Sequence, residues 1–293
     1  MYAITGITGN VGGELARTLL AAGQPVRAVV RDAAKAAAWA AQGCPLAVAR
    51  MEDAKQLAEA FAGAEAVFIL PPSEFDPAPG YPEARAVIEA VVAALAAAQP
   101  HRIVCLSTIG ADAAHDNLLS QRSLMEAAVG ALGIPVTFLR PGWFMENALW
   151  DVAPARATGT IHSFLQPLDK PFPMVATQDV GRLAAKLIQQ TWTGVRVVEL
   201  EGPTRVTPNA LAEAFAAALG VPVHAEAVPR TNWESLFRAQ GMSNPHPRMR
   251  MLDGFNEGWI EFRDGGVYAV KGSTPLATVI AQLVDEAMAS APL

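Results

Sequence analysis

Three glycines near the start of the chain, Gly6, Gly9 and Gly12, recur every three residues between an apolar run and a helical pattern. This order of strand, turn and helix is the context in which a glycine turn binds the pyrophosphate of a dinucleotide. Gly6 would permit the tight turn, Gly9 the close approach of backbone to phosphate, and Gly12 the packing of helix on strand. Amides at the start of the helix would face the phosphates. The expected contacts of a nicotinamide dinucleotide are Gly6, Thr8, Gly9, Asn10, Val11 and Gly12.

A tight turn without a ligand is the alternative interpretation of these glycines. The next apolar run, Val26–Val30, bears on the choice of cofactor, because it ends in Arg31 and Asp32, with Lys35 one turn later. Domains that prefer NAD usually close this strand with an acidic residue, whereas guanidinium and ammonium groups suit the 2′-phosphate of NADP. Arg31 and Lys35 therefore favour NADP(H) over NAD(H). Asp32 opposes this if the register shifts by one residue, and a surface Arg–Asp pair is the alternative.

Two further strand ends should border the same cofactor. Glu52 and Asp53 follow the third apolar run, where the adenine would lie, although a solvated helix start explains them equally well. Leu70, Pro71 and Pro72 end the fourth run, and two prolines hold a chain extended. Such a turn would lie against a ribose of the cofactor, or it would simply end the strand.

The fifth run ends in Ser107, Thr108 and Ile109. In doubly wound sheets the carboxyl ends of the strands face the ligand crevice. We expect Ser107 or Thr108 to reach the nicotinamide or the substrate, with Ile109 beside the substrate. A capped turn without a ligand role is the alternative.

An aromatic stretch leaves the sixth run at residues 140–147. Trp143 and Phe144 would stack on a flat ring, and Asn147 would donate a hydrogen bond to a carbonyl of the substrate. The alternative is a packed hinge between two domains, in which the aromatic side chains belong to the core.

Seven apolar runs are predicted as strands, and the elements between them are what must position these residues. The runs comprise Tyr2–Thr5, Val26–Val30, Leu46–Ala49, Ala66–Leu70, Arg102–Leu106, Val136–Leu139 and Val195–Leu200. Helical patterns separate them, as at residues 13–22, 55–61 and 84–98, and Thr207 and Pro208 begin a helix that Gly220 ends. Such alternation predicts an α/β, Rossmann-type doubly wound parallel sheet with a second, smaller α+β domain.

The expected domain boundaries follow a change of texture after residue 142. Residues 1–142 plus 174–202 should form the dinucleotide-binding domain, and 143–173 plus 203–293 the smaller substrate-binding domain. The cleft between the two is the default ligand site. Periodic signals are weak from residue 228 to residue 268, and a last helix should follow Thr274 and Pro275. The role of residues 225–270 is not predicted.

The bulk composition narrows the function classes. The chain has 293 residues, of which 52% are hydrophobic and 17% charged, and a net charge of −6 argues against nucleic acid as the main partner. No stretch is apolar for long enough to span a bilayer, and the first strand begins at Tyr2, which leaves no room for a signal peptide. We expect a cytoplasmic protein with buried, structural Cys44 and Cys105, no metal site, no membrane partner, and a homodimer as one candidate assembly.

Five segments, in this order and spacing, resemble the NmrA-like branch of the atypical short-chain dehydrogenases. The segments are Ile4–Gly12, Val30–Asp32, Cys105–Gly110, Leu139–Asn147 and Phe172–Gly181. The resemblance covers roughly residues 1–220 and implies a Rossmann core that binds NADP(H). It implies two kinds of activity: NADPH-dependent reduction of quinones or azo dyes, or dinucleotide sensing without turnover to regulate a partner protein.

Ketone-reducing members of the wider group carry a Tyr-x-x-x-Lys pair, which residues 118–126 of this chain lack. Arg122 lies in this segment and would hold a ribose, but its high pKa makes it a poor proton donor. A quinone needs less help, because hydride addition gives a stabilised anion that solvent protonates. We therefore expect an NADPH-dependent reductase of an aromatic or quinone-like substrate, with no assigned catalytic residue; the alternative is a non-catalytic NAD(P) sensor.

Overall fold

A computed structural model describes residues 1–289 of the chain. Strands and helices alternate through the first half. The elements in order are β1 (Tyr2–Thr5), α1 (Asn10–Ala21), β2 (Val26–Val30), α2 (Ala37–Ala41), β3 (Leu46–Val48), α3 (Ala54–Phe61), β4 (Ala66–Ile69), α4 (Pro82–Ala98), β5 (Arg102–Leu106), α5 (Ser120–Gly130) and β6 (Val136–Pro141). A 3₁₀ turn at Ala34–Ala36 precedes α2.

Shorter strands and more helices make up the second half. The elements in order are β7 (Trp143–Phe144), α6 (Leu149–Thr158), β8 (Thr160–Ser163), β9 (Met174–Val175), α7 (Thr177–Ile188), β10 (Val195–Glu201), α8 (Pro208–Leu219), β11 (His224–Ala227), α9 (Trp233–Ala239), α10 (His246–Glu257), β12 (Val270–Lys271) and α11 (Leu276–Ala289). Further 3₁₀ turns lie at Met145–Ala148, Arg230–Asn232 and Arg263–Gly266.

The central sheet has eight strands in the order β12-β10-β6-β5-β4-β1-β2-β3. The pairs from β3 through β2, β1, β4 and β5 to β6 run parallel, as does the pair of β10 with β12. Every residue of β1, β4 and β5 is buried, which accounts for their mainly apolar sequences. The charged exception, Arg102 at the start of β5, forms an ion pair with Glu65 at 2.6 Å. The strand order reverses at β1 and β4, and in such sheets the point of reversal is where a crevice opens beyond the carboxyl ends.

Two compact units divide the described chain. The first comprises Met1–Asp112, Leu119–Arg140 and Val180–Val198, and the second comprises Ala113–Leu118, Pro141–Asp179 and Glu199 to the end of the described residues. The first unit holds a large apolar core on one side of its strands, in which Phe61, Leu95 and Phe138 are buried. In the second unit, β7 pairs with β9 and β8 pairs with β11, both in parallel.

Most of the predicted elements of the first half are confirmed. The predicted limits of β1, β2 and β5 coincide with the observed ones. The Thr207 side chain caps α8 by accepting from the Ala210 amide at 2.9 Å, and Gly220 ends that helix with φ +69°.

Some predicted limits were wrong. The first helix begins at Asn10, three residues before the predicted start. The predicted start was too late because Gly12 and Gly13 have low helix propensity and weaken the helical pattern there. Residues after 225, where no clear pattern was found, contain β11, α9, α10 and β12. β11, α9 and β12 have seven residues or fewer, too few to display several turns of periodicity. The longer α10 contains Pro247 and Gly254, which weaken its helical pattern.

Among residues 1–289, no helix combines the length and the apolar content that crossing a membrane requires. No group of three metal-ligating side chains stands together in the same part of the chain. Cys44 and Cys105 are both free and buried, as expected. Burial raises the pKa of the Cys105 thiol to about 12, so this thiol stays protonated at neutral pH.

Candidate functional site

The glycine turn joins β1 to α1, and two of its glycines are required by the fold. Gly6 has φ +66°, a conformation that side chains rarely allow. A Cβ on Gly12 would lie 2.7 Å from the carbonyl carbon of Gly6 and 3.0 Å from the amide of Ile7. Gly12 thus lets α1 pack on the turn itself, whereas we expected it to pack on the strand.

Gly9 differs, because the packing of the protein does not require a glycine there. Its backbone is extended, with φ −97° and ψ 177°, and a Cβ would touch only the carbonyl of Gly6, at an ordinary 3.5 Å. Gly9 is the N-cap of α1 and has no side chain to cap the first amides of the helix. An extended glycine beside uncapped helix amides is what close approach of a phosphate needs.

A cavity of about 330 Å³ opens beside this turn. Its lining residues are Ile7, Thr8, Gly9, Asn10, Arg17, Ala38, Trp39 and Gln42. Thr8, Gly9 and Asn10, three of the six turn residues predicted from the sequence, are therefore in the wall of a cavity, whereas Gly6, Val11 and Gly12 are not.

Five members of this wall were not predicted from the sequence: Ile7, Arg17, Ala38, Trp39 and Gln42. Arg17 follows Asn10 by seven residues and so lies two helical turns further along the same face of α1. This spacing is a signal that would have found it. The Arg17 guanidinium also forms an ion pair with Glu14 at 3.2 Å.

The predicted 2′-phosphate contacts, Arg31 and Lys35, are both exposed beyond the end of β2. The Asp32 carboxylate accepts from the amide of Ala34 at 2.9 Å and holds the following turn. Binding of a ribose hydroxyl by Asp32 would compete with this hydrogen bond. Arg31 and Lys35 do not line the cavity described above. Their role in choosing the cofactor stays a prediction.

Glu52 and Asp53, expected near the adenine, both make local contacts. Asp53 is the N-cap of α3, where its side chain accepts from the Gln56 amide at 3.0 Å. Glu52 lies 3.8 Å from Arg50, and both side chains are at least half exposed. These contacts match the solvated helix start that was the alternative interpretation, and the adenine role stays a prediction.

Leu70, Pro71 and Pro72 follow β4 and lie next to the glycine turn. The Leu70 amide donates to Oγ1 of Thr5 at 2.7 Å, and a Cβ on Gly6 would touch the Leu70 side chain at 3.0 Å. The loop after β4 is therefore held against the turn after β1, at the point where the strand order reverses.

A buried charge network joins the ends of β5 and β6 to α5. Arg140, with only 4% of its side chain exposed, donates to both carboxylate oxygens of Glu126 at 2.9 and 2.6 Å. Its Nη1 donates to Asp112 at 2.5 Å. Burial by itself lowers the pKa of Arg140, but the bonds and charges of Glu126 and Asp112 outweigh burial and raise this pKa. The Ser107 hydroxyl donates to the same Glu126 at 2.5 Å.

This network was not predicted, although Arg140 at the end of an apolar strand is a signal for one. Ser107 lies at the expected strand end, but its hydroxyl proton is engaged by Glu126. Thr108 is partly buried, and Ile109 is 1% exposed, so the Ile109 side chain belongs to the core. The ligand roles given to these three residues stay predictions.

In the second unit, Trp143 and Phe144 form β7, and both are partly buried. The Trp143 ring meets the Phe255 ring edge-on, with 5.3 Å between centroids. Asn147 is exposed. Between them in sequence, Glu146 accepts from the amide and hydroxyl of Thr177 at 2.8 and 2.6 Å.

The other oxygen of Glu146 is buried and has no hydrogen-bond partner among the described residues. Burial raises the pKa of Glu146, although the bonds from Thr177 act in the opposite direction. Trp143, Phe144 and Glu146 are therefore packed within the second unit, whereas Asn147 is exposed, and the predicted contacts of Trp143, Phe144 and Asn147 with a substrate remain predictions.

The sequence of this chain is similar to those of known proteins over most of its length. A sequence model of the NmrA-like family matches residues 2–253. The NAD(P)H azoreductase of Xenophilus azovorans is 27% identical over 251 residues, which cover 83% of this chain and 82% of that protein. Quinone oxidoreductase 2 of Escherichia coli strain K12 is 28% identical over 244 residues, with 83% and 82% covered.

A solved structure shares the fold. It is an NADPH-dependent quinone oxidoreductase from Escherichia coli in complex with NADPH, with a TM-score of 0.80 at 24% identity. The match covers 97% of this chain and 99% of that one. It shows that the predicted Rossmann-type α/β architecture is correct.

Proposed function

This chain belongs to the NmrA-like family, and on that premise we propose that it is an NADPH-dependent oxidoreductase of flat, electron-poor acceptors, quinones above all. The observation that carries the proposal is Gly9, an extended glycine in the wall of a cavity, which the packing of the protein does not require. Two relatives that align over most of the chain are named for NAD(P)H-dependent azo reduction and for quinone reduction.

Residues of the first unit would hold the cofactor. The turn Gly6–Gly12 would receive the pyrophosphate on the amides of α1, and Arg31 and Lys35 would select the 2′-phosphate. When bound, the dihydronicotinamide supplies two electrons as a hydride. The task left to the protein is to position a flat ring and to keep water from it.

The choice of acceptor rests on what α5 carries. The helix from Ser120 to Gly130 contains neither Tyr nor Lys, and the Ser107 hydroxyl is engaged as a hydrogen-bond donor to Glu126. A reaction that needs a proton from the protein is therefore poorly served by these groups. A reduced quinone holds its negative charge on a conjugated oxygen and takes its proton from solvent, so it suits this chain.

The test is consumption of NADPH by the purified protein across a panel of quinones and azo dyes, with NADH in parallel. We expect rapid turnover with NADPH and slow turnover with NADH, and quinones to be better acceptors than simple ketones. Turnover of ketones at rates equal to quinones would contradict the proposed acceptor class.

A dinucleotide sensor without turnover is the second candidate, because no described side chain on α5 forms a proton-donating Tyr–Lys pair. Direct measurement of NADPH binding separates the two candidates. NADPH bound at micromolar concentration, with no consumption by any acceptor, would favour the sensor. Failure to bind NADPH or NADH would remove both.

A further inference from the structure

Arg122 lies in the first turn of α5 and reaches the loop that follows β4. Its Nη1 donates to the carbonyl of Pro72 at 3.2 Å. Its Nη2 donates to the carbonyls of Pro71 and Pro72 at 3.1 and 3.2 Å, and to Oγ of Ser73 at 2.8 Å. None of these bonds uses Nε. Within residues 1–289 the guanidinium has only neutral partners and forms no ion pair with a carboxylate.

Arg140, near the end of β6, is in the opposite situation. Arg140 is neutralised by two carboxylates, those of Glu126 and Asp112. Arg140 is 4% exposed and Arg122 is partly buried, yet only Arg140 has a counter-charge. Uncompensated charge in such a place is costly, and proteins usually pair it or leave it for a ligand.

The hydrogen bonds of Arg122 connect α5 to the loop that lies against the glycine turn. Its partners Pro71 and Pro72 follow β4, which pairs with β1, the strand that leads into the glycine turn. The Leu70 amide is bonded to Thr5, the residue before that turn. Arg122 is therefore bonded to the loop after β4, beside the place where the strand order reverses between β4 and β1.

We propose that Arg122 is a catalytic residue that binds the oxygen on which negative charge develops when the acceptor is reduced. This inference rests on the proposed function. A quinone that takes up one hydride, with its two electrons, becomes a hydroquinone monoanion while the dinucleotide is oxidised. One proton from solvent then completes the hydroquinone. Nε of Arg122 is the donor that its protein contacts leave for this oxyanion.

A fixed guanidinium suits this role. Its bonds to Pro71, Pro72 and Ser73 hold it in place before any acceptor arrives, so little reorganisation is needed when charge appears. Burial lowers the pKa of Arg122, but arginine remains protonated at neutral pH. Ser107, at the adjacent strand end, already donates to Glu126 and so offers no proton to an acceptor.

The direct test uses p-nitrophenol, whose phenolate absorbs visible light and mimics a hydroquinone anion. It is titrated with pH in the presence of wild-type protein and of Arg122→Gln. We expect the phenol bound to the wild type to ionise at a pH lower by about one unit than the free phenol, since a nearby cation favours the anion. Arg122→Gln should lose this shift.

The matched control is Arg27→Gln. Arg27 is also a partly buried arginine whose guanidinium donates only to backbone carbonyls, those of Ala60 and Ala62, but it lies near the amino end of β2. This variant should keep the shift. Arg122→Lys, which keeps a positive charge without the planar guanidinium, should keep part of it. Thermal unfolding verifies that each variant is folded.

Kinetics supply the second measurement. For Arg122→Gln we expect kcat with a quinone to fall roughly 100-fold, as when one donor to a developing oxyanion is removed. NADPH affinity should stay within about twofold, and this separates the proposed role from the ribose contact predicted from the sequence, whose loss would weaken NADPH binding. Three results would overturn the proposal: no binding of nitrophenol to the wild type, a retained shift in Arg122→Gln, or weakened NADPH binding with kcat unchanged. The nitrophenol titration needs no turnover, so it fails or succeeds independently of the proposed function.

Discussion

The three glycines of the turn differ in whether, and why, the fold requires a glycine at their position. Gly6 is needed for its positive φ, and Gly12 because a side chain would collide with the backbone of the turn. Gly9 meets no such requirement. The motif of equally spaced glycines thus contains two that the fold explains and one, Gly9, that the fold does not explain and that the proposed phosphate contact would use; substitution can separate them.

We predict that Gly9→Ala stays folded but loses affinity for NADPH. The added methyl has ordinary contacts within the protein, so the free energy of unfolding should change by less than about 1 kcal/mol. In the cavity the methyl would hold the phosphates away from the amides, and we expect the Kd for NADPH to rise at least about tenfold.

Gly12→Ala provides the contrast, because its methyl would meet backbone and cost about 2 kcal/mol of stability. Urea unfolding and fluorescence titration with NADPH measure both quantities. An unchanged Kd in Gly9→Ala would exclude the turn from phosphate binding.

Arg31→Glu tests the choice of cofactor at a single side chain. The exposed side chain of Arg31 makes no hydrogen bond or ion pair within residues 1–289, so its replacement should not disturb the fold. Loss of a charged contact to the 2′-phosphate should weaken NADPH binding about 10-fold or more, and NADH binding should be kept or improved.

Arg17→Gln is the comparison variant, because Arg17 lines the cavity and was not predicted. Binding isotherms for NADPH and NADH with both variants distinguish the two cations. If Arg17→Gln discriminates and Arg31→Glu does not, then the selection of NADP belongs to the cavity wall and not to the end of β2.

At the scale of elements, strand ends were predicted more reliably than the contacts made there. Strands buried on both faces appear as mainly apolar runs, which is why β1, β2 and β5 were placed correctly although β2 contains Arg27 and β5 begins with Arg102. The Thr207 cap and Gly220 were visible because each has a local physical cause. The partner of Arg140 was not visible, because Glu126 lies on another element and only the packing of α5 against the strands brings the two together.

The Arg140–Glu126 pair should be a main contact between α5 and the sheet. The Glu126 side chain is 12% exposed, and removing one partner of such a pair leaves an uncompensated charge. Glu126→Leu is therefore expected to cost about 3 kcal/mol of unfolding free energy, measured in urea. The double variant Glu126→Leu, Arg140→Leu should recover much of this loss.

An exposed pair serves as the control for that measurement. Glu234 and Arg238 are neighbours on α9, and each side chain is more than half exposed. Glu234→Gln should change the unfolding free energy by less than about 0.5 kcal/mol. A loss in Glu126→Leu no larger than in the control would mean that α5 is held by its apolar contacts alone.

At the scale of the whole molecule, the pH dependence of stability should carry the signature of Asp151 on α6. Burial raises the pKa of Asp151 from 3.8 to about 6 in the folded protein. The folded state therefore binds a proton more tightly than the unfolded state does. Stability that is present below the unfolded pKa is lost as the pH rises toward 6, and above that the full cost of the buried charge remains.

We accordingly predict that Asp151→Asn is more stable than the wild type at pH 8 and equal to it at pH 4. The gain should be about 1 to 2 kcal/mol, which allows for partial screening by solvent at a side chain that is not fully buried. Urea unfolding at several pH values measures it. Asp169→Asn, at an exposed position of the same unit, is the control and should follow the wild type throughout. A parallel pH dependence in wild type and Asp151→Asn would mean that this carboxyl is hydrated in solution, because only its withdrawal from water raises the pKa.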